Sequence, residues 1–244
     1  MIHSAWLSRL PAPHYTSRVP VSVDPSLESL LGDLLLRRDP ASWMREALAS
    51  VAEETSFDRI VVPYAAAPRR LRGVQVKLEQ AEALRAMGAE PLGARGIVAL
   101  FRAALLLTLC RNAPAERRVE LVDRLFRTGD NDERIDLLVA LPFLPGPADF
   151  APTAVEACRT NVLDVFTAIA CENDFPSRWF SESAFNQMVM KALFSSIHLS
   201  RVRGLAARVN PELRRMAADY AAERRAANRS VPGDIATYLE GVKP

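Results

Sequence analysis

The 244-residue sequence predicts an all-α fold of HEAT-like stacked antiparallel hairpins, about ten to twelve helices in all. Three observations carry this. Glycine is scarce at 10 residues, roughly 4% where ~7% is usual. Alanine and leucine, both strong helix formers, make up about a quarter of the chain. Apolar residues recur at helical spacing through most of the sequence, and two-residue alternation is confined to a weak strand signal at Arg59–Val62. With 49% apolar residues the chain can bury a sizeable core. Its 31 Lys and Arg against 29 Asp and Glu leave a net charge of +2. That balance excludes a polybasic nucleic-acid coat and an acidic disordered tail.

Residues 1–25 hold Pro11, Pro13, Pro20 and Pro25 with little periodicity and read as an extended arm. Residues 26–244 read as one all-helical domain. Leu27, Leu30, Leu31, Leu34 and Leu35 make a one-faced helix. Asp39-Pro40 caps the next, which carries Trp43, Ala47, Leu48 and Val51. Phe57–Ala67 is an apolar segment stopped near Pro68, and Val74–Met87 is an amphipathic helix closed by Gly88. Leu92–Arg111 contains the most apolar run, Ile97–Cys110, interrupted only by Arg102. At 14 residues it falls short of the ~20 that a membrane span requires, so it reads as a buried helix. Helices follow from Ala113-Pro114 to Gly129 and from Asp130 to the prolines at 142, 145 and 147. Others are expected at about 149–158, 160–172, 181–197, 211–228 and 233–240. Within this order, 92–172 has the ~40-residue spacing of HEAT hairpins.

No signal-peptide pattern occupies Met1–Tyr15, and the expected location is cytoplasmic. Cys110, Cys158 and Cys171 are odd in number and far apart, which suits small buried hydrophobes better than disulfides or a zinc site. The catalytic motifs G-x-S-x-G, H-E-x-x-H, the P-loop and G-x-G-x-x-G do not occur. His3, His14 and His198 are too scattered for a triad, and His198 reads as a structural histidine. No metal site and no cofactor are expected.

The polar residues in unexpected places lie between 156 and 232. Helix 161–172 buries Val162, Val165, Phe166 and Ile169, and gathers Asn161, Asp164, Ala168 and Cys171 on a small, weakly polar face. Helix 184–199 has Lys191 as its only formal charge and apolar residues on nearly all sides, so its ammonium needs a partner. Asp164, Glu172, Asp219 and Glu223 are the candidates. Asn210-Pro211 caps a further helix on which Arg215, Asp219 and Glu223 follow at i+4. Two readings stay open: a buried ion-pair network locking the last helices, or a polar pocket between them. Eight arginines between 200 and 229 face three acids, yet without interleaved aromatics they read as a solvated or ion-paired face, as do Arg69, Arg70 and Arg72.

Several stretches resemble the EboA family: Cys158-Arg159-Thr160-Asn161, Ala168 to Asn173, Phe175-Pro176, Trp179-Phe180, Phe185 to Val189 with Lys191-Ala192, Arg208 to Leu213, and Asp219 to Ala227 with Arg229 and Pro232. The likeness is dense over 155–235. Asp174 stands where the family pattern has proline, and Asn228 where it has glycine. The resemblance implies a part in the traffic or processing of a secondary metabolite, encoded beside other proteins of that cluster, and implies no reaction.

The resulting expectation is a non-catalytic binding or scaffold protein that takes a small polar or anionic metabolite, or a partner protein of the same cluster. The expected ligand pocket comprises Arg159, Asn161, Asn186, Gln187, Lys191, Arg208, Asp219, Tyr220, Glu223 and Arg224. The alternatives are an enzyme of the same pathway using Lys191 or Glu223 as base, and a HEAT-like nucleic-acid binder, which the charge pattern disfavours.

Overall fold

A computed structural model describes residues 41–76 and 78–239. The extended arm, the helix read at Leu27–Leu35 and the Asp39-Pro40 cap lie outside the described residues. Within them the chain forms thirteen α-helices and no strand. These are α1 (Ala41–Glu53), α2 (Phe57–Arg70), α3 (Leu78–Ala86), α4 (Glu90–Ala94), α5 (Ile97–Asn112), α6 (Ala115–Thr128) and α7 (Asn131–Ala140). Then come α8 (Ala151–Ala157), α9 (Leu163–Ala170), α10 (Phe175–Trp179), α11 (Glu182–Phe194), α12 (Leu205–Arg208) and α13 (Pro211–Ala226). Short 3-10 turns and a π turn at Ile235–Leu239 join or end them.

The excess over twelve comes from helices too short to show periodicity. Gly96, at φ +83°, breaks the helix expected at 92–111 into α4 and α5. The strand signal at Arg59–Val62 is overturned, because those residues lie inside α2. The segment expected to stop near Pro68 ends at Arg70, and α11 is buried over most of its surface, with one exposed stripe. Pro63 and Pro68 sit within α2, and Gln187 and Phe194 on α11 are exposed.

α5 is the centre of the core. Twelve of its residues are buried, and it packs against α1, α2, α4, α6 and α7. Next to it, α7 packs on α9, α9 on α11, and α11 on α13, so one apolar cluster runs from Met44 to Leu239. Val165, Phe166 and Ile169 of α9 are buried as the periodicity requires. α7 opens with a capping box in which Asp130 accepts from the Glu133 amide and Glu133 answers to the Asp130 amide. Asn210 caps α13, its side chain accepting from the Leu213 amide at 2.9 Å. Cys110 and Cys171 are buried and Cys158 is half-buried, all as free thiols.

Three helices close with the same backbone device, a left-handed residue followed by a 6→1 hydrogen bond. At the end of α3 the left-handed residue is Gly88, and the Ala89 amide donates to the Leu84 carbonyl at 2.8 Å. After α11 it is Ser196 (φ +57°), with Ile197 donating to Ala192 at 2.9 Å. After α13 it is Asn228 (φ +53°), with Arg229 donating to Arg224 at 2.8 Å. Two of the three caps therefore place a side chain in a conformation that favours glycine.

Candidate functional site

The strongest buried electrostatic structure stands on α5, away from the C-terminal helices. Arg102 is 1% exposed. Its Nη1 donates to Asp136 Oδ2 at 2.7 Å, its Nη2 reaches Glu133 Oε1 at 3.5 Å, and its Nε donates to the Tyr64 carbonyl at 3.0 Å. That carbonyl is free because Pro68, four residues on, has no N–H to offer it. The guanidinium also lies 5.0 Å from the Tyr64 ring centroid. Burial, then the nearby Asp136 carboxylate, hold the Tyr64 hydroxyl well above its ordinary pKa, although Arg102 opposes them.

Asp136 is shared. Its second oxygen accepts from Arg95 Nε, while Arg95 Nη2 donates to Asp132 at 3.2 Å. Burial alone lowers the Arg95 pKa, but its hydrogen bonds to Asp136 and Asp132 outweigh that and leave it raised. Arg95 follows α4 and forms one edge of a cleft of about 400 Å³. Pro91 stands beside it, α7 contributes Asp132, Ile135 and Val139, and α9 contributes Asp164, Thr167 and Ala168. Cys171, Glu172 and Arg201 complete the lining.

The far edge is as firmly held as the near one. Arg201 donates from Nε and Nη2 to the two Glu172 oxygens at 2.7 and 2.9 Å. In return the Glu172 amide donates to the Arg201 carbonyl at 2.9 Å, fixing Glu172 at φ +50°. The hydrogen bond with Glu172 raises the Arg201 pKa. Burial pushes the Cys171 thiol up to about 11, so it stays protonated at neutral pH. Between these edges, the exposed Asp164 carboxylate and the Thr167 hydroxyl have no hydrogen-bond or ion-pair partner among the described residues. They lie one turn apart on α9 and share a face.

The family model of the metabolite traffic protein EboA matches residues 27–240. The chain belongs to the EboA family. The match reaches well beyond the dense likeness over 155–235 and takes in every residue that lines the cleft of this EboA-family chain. No curated protein and no solved structure matches it.

The residues expected to line a C-terminal pocket are distributed over several places. Lys191 is half-buried and finds no carboxylate. Its ammonium donates to the carbonyls of Cys158 and Thr160, each at 2.5 Å, and sits 4.7 Å from the Phe166 ring centroid. It thus neutralises the negative end of α8. Burial lowers its pKa.

Arg208 plays a similar part, donating to the Ser177 and Phe180 carbonyls at 2.7 and 2.9 Å over the Phe185 ring. Asn186 is buried against Asn210 in a reciprocal amide pair at 3.1 and 2.9 Å. Arg159 is exposed and pairs with Glu156; Asn161, Gln187 and Glu223 are exposed. Asp219 pairs with Arg215 on the surface. Tyr220 meets Phe194 edge to face, with ring centroids 4.7 Å apart.

Arg224 donates to the Ser230 carbonyl and, with His198 and Asp234, lines a second cleft of about 330 Å³. His198 is exposed, its Nδ1 3.7 Å from Asp234. The ion pairs of α13 are exposed, so the buried ion-pair network, one of the two readings for the last helices, does not form on α13; a buried network lies around Arg102 instead.

The small polar face read on helix 161–172 was the visible signal for the cleft, since Asp164, Ala168 and Cys171 all line it. Arg95, Asp132 and Arg201 carry no local signal, because the fold brings them in from 32 to 69 residues away.

Proposed function

We propose that this EboA-family protein is a non-catalytic binding component of metabolite traffic, holding a small polar metabolite in the cleft between α4, α7 and α9. One observation carries the reading. The cleft pairs two guanidiniums, each already fixed by a carboxylate, with an unpartnered carboxylate and hydroxyl over an apolar wall. Preset polar groups over apolar surface are what small-molecule sites need, and about 400 Å³ lies within the usual ~300–1,000 Å³ range. Against catalysis, the lining includes no imidazole and its thiol is held protonated. Lys191, with its proton engaged by two carbonyls, is poorly placed to act as a base.

Thermal-shift screening against small amines, polyols, carboxylates and phosphates tests this. At least one class should raise the Tm of the native protein, and Thr167→Trp, which fills the cleft, should abolish the rise while leaving the circular dichroism spectrum unchanged. Shifts that survive Thr167→Trp would contradict the proposal. A second reading places the ligand in the C-terminal cleft at Arg224. It predicts instead that Arg224→Ala alone removes the shift.

A further inference from the structure

The proposed cleft also has a charge, and the charge selects a ligand. Five ionised groups line it: Arg95 and Arg201 against Asp132, Asp164 and Glu172. The two arginines are spoken for. Glu172 takes two donors of Arg201, while Asp132 and the buried Asp136 take two of Arg95. An anion entering the cleft would have to compete with carboxylates already in place for those guanidiniums. It would also meet a lining whose formal sum is negative. Asp164 is the one lining carboxylate without a counter-charge among the described residues. It sits on the first turn of α9, one turn from the Thr167 hydroxyl, so two acceptors converge on the same side of the cleft. Behind them Ile135 and Val139 on α7 and Ala168 on α9 supply an apolar wall.

A cation with three donors and a hydrocarbon body matches this arrangement. We infer that the cleft selects a small organic amine, its ammonium held by Asp164 and Thr167 and its apolar part against Ile135, Val139 and Ala168. The inference rests on the cleft being the binding site, and it narrows the ligand from any polar metabolite to an ammonium-bearing one. Charge-assisted hydrogen bonds to a carboxylate are roughly twice as strong as neutral ones, so the ammonium supplies most of the selectivity.

Benzylamine, benzyl alcohol and benzoate differ in the charge of one substituent and test the point by calorimetric titration at pH 7. The native protein should bind benzylamine at least tenfold more tightly than benzyl alcohol, and benzoate most weakly. Asp164→Asn should lower benzylamine affinity about tenfold and leave benzyl alcohol unchanged; Thr167→Trp should remove both. Benzoate binding that exceeds benzylamine and is lost in Thr167→Trp would overturn the amine and keep the cleft. Equal benzylamine affinity in the native protein and Asp164→Asn would do the same. Failure of all three probes to bind the native protein would overturn both.

Discussion

Arg102 is a guanidinium carried into the centre of the core, and every one of its contacts is a compensation for that. Asp136 is 3% exposed on its side chain and serves two arginines, so it is the member whose loss leaves most uncompensated charge. Removing one partner of a buried pair costs ~3–5 kcal/mol, because the other charge stays buried. Asp136→Ala should therefore destabilise by about that amount in urea unfolding, while Arg95→Ala, at the partly exposed edge, should cost about 1 kcal/mol. The double variant Arg102→Met/Asp136→Leu should recover much of the loss. Equal losses for Asp136→Ala and Arg95→Ala would show that the buried pair is not the stabilising unit.

The same interior makes the protein sensitive to base. Burial pushes the Cys110 thiol from 9.0 up to about 12 and the Tyr64 hydroxyl well above 10.0. Above pH 9 the unfolded chain therefore releases protons that the folded chain retains. Stability present below pH 9 is then lost as pH rises towards 12. Urea midpoints should fall from pH 9 upward, and Cys110→Ala should flatten the first part of that fall.

Lys191 and Arg102 also show what one sequence can and cannot disclose about a charge. Each is a lone charge in an apolar helix, and each has found partners. Carboxylates were the expected partners of Lys191, yet two main-chain carbonyls at the end of α8 fill that role; a helix end leaves such carbonyls free, but the sequence does not mark which side chain the fold brings to them. Arg102 reads only as an interruption of Ile97–Cys110, and its partners come from α2 and α7.

At the scale of elements, helix ends account for most differences between the sequence reading and the structure. Gly88 marks its cap openly. Ser196 and Asn228 adopt the same left-handed backbone without glycine, and so conceal the ends of α11 and α13 within patterns that read two or three residues longer. At Asn228 the family pattern's glycine suits the observed φ of +53°. A non-glycine residue in that region costs about 1–2 kcal/mol, less for asparagine. Ser196→Gly should stabilise by roughly 1 kcal/mol and Asn228→Gly by a few tenths. Asn228→Ala should destabilise. A loss of stability in Ser196→Gly would mean that its backbone strain is not what limits the cap.

Within the described residues the all-α class follows from composition and periodicity alone, because a chain this rich in alanine and leucine with apolar residues at helical spacing has few other ways to bury them. HEAT-like hairpin stacking is a reading of the ~40-residue spacing, and the structure adds the packing order from α5 through α7, α9 and α11 to α13. The cleft needed that packing. Asp164, Ala168 and Cys171 are visible on one face of a helix, but Arg95 and Asp132 join them only when α7 lies against α9, and Arg201 only when the turn after α11 pairs with Glu172. The family whose model matches is named for metabolite traffic, and the cleft is the place where we propose that a metabolite is held. Amide chemical-shift mapping during a benzylamine titration tests that link most directly. The account predicts that the amides of Asp164, Thr167 and Ala168 move with saturation while those of Arg224 and Ser230 stay fixed. Movement confined to Arg224, Ser230 and their neighbours, or none anywhere, would contradict it.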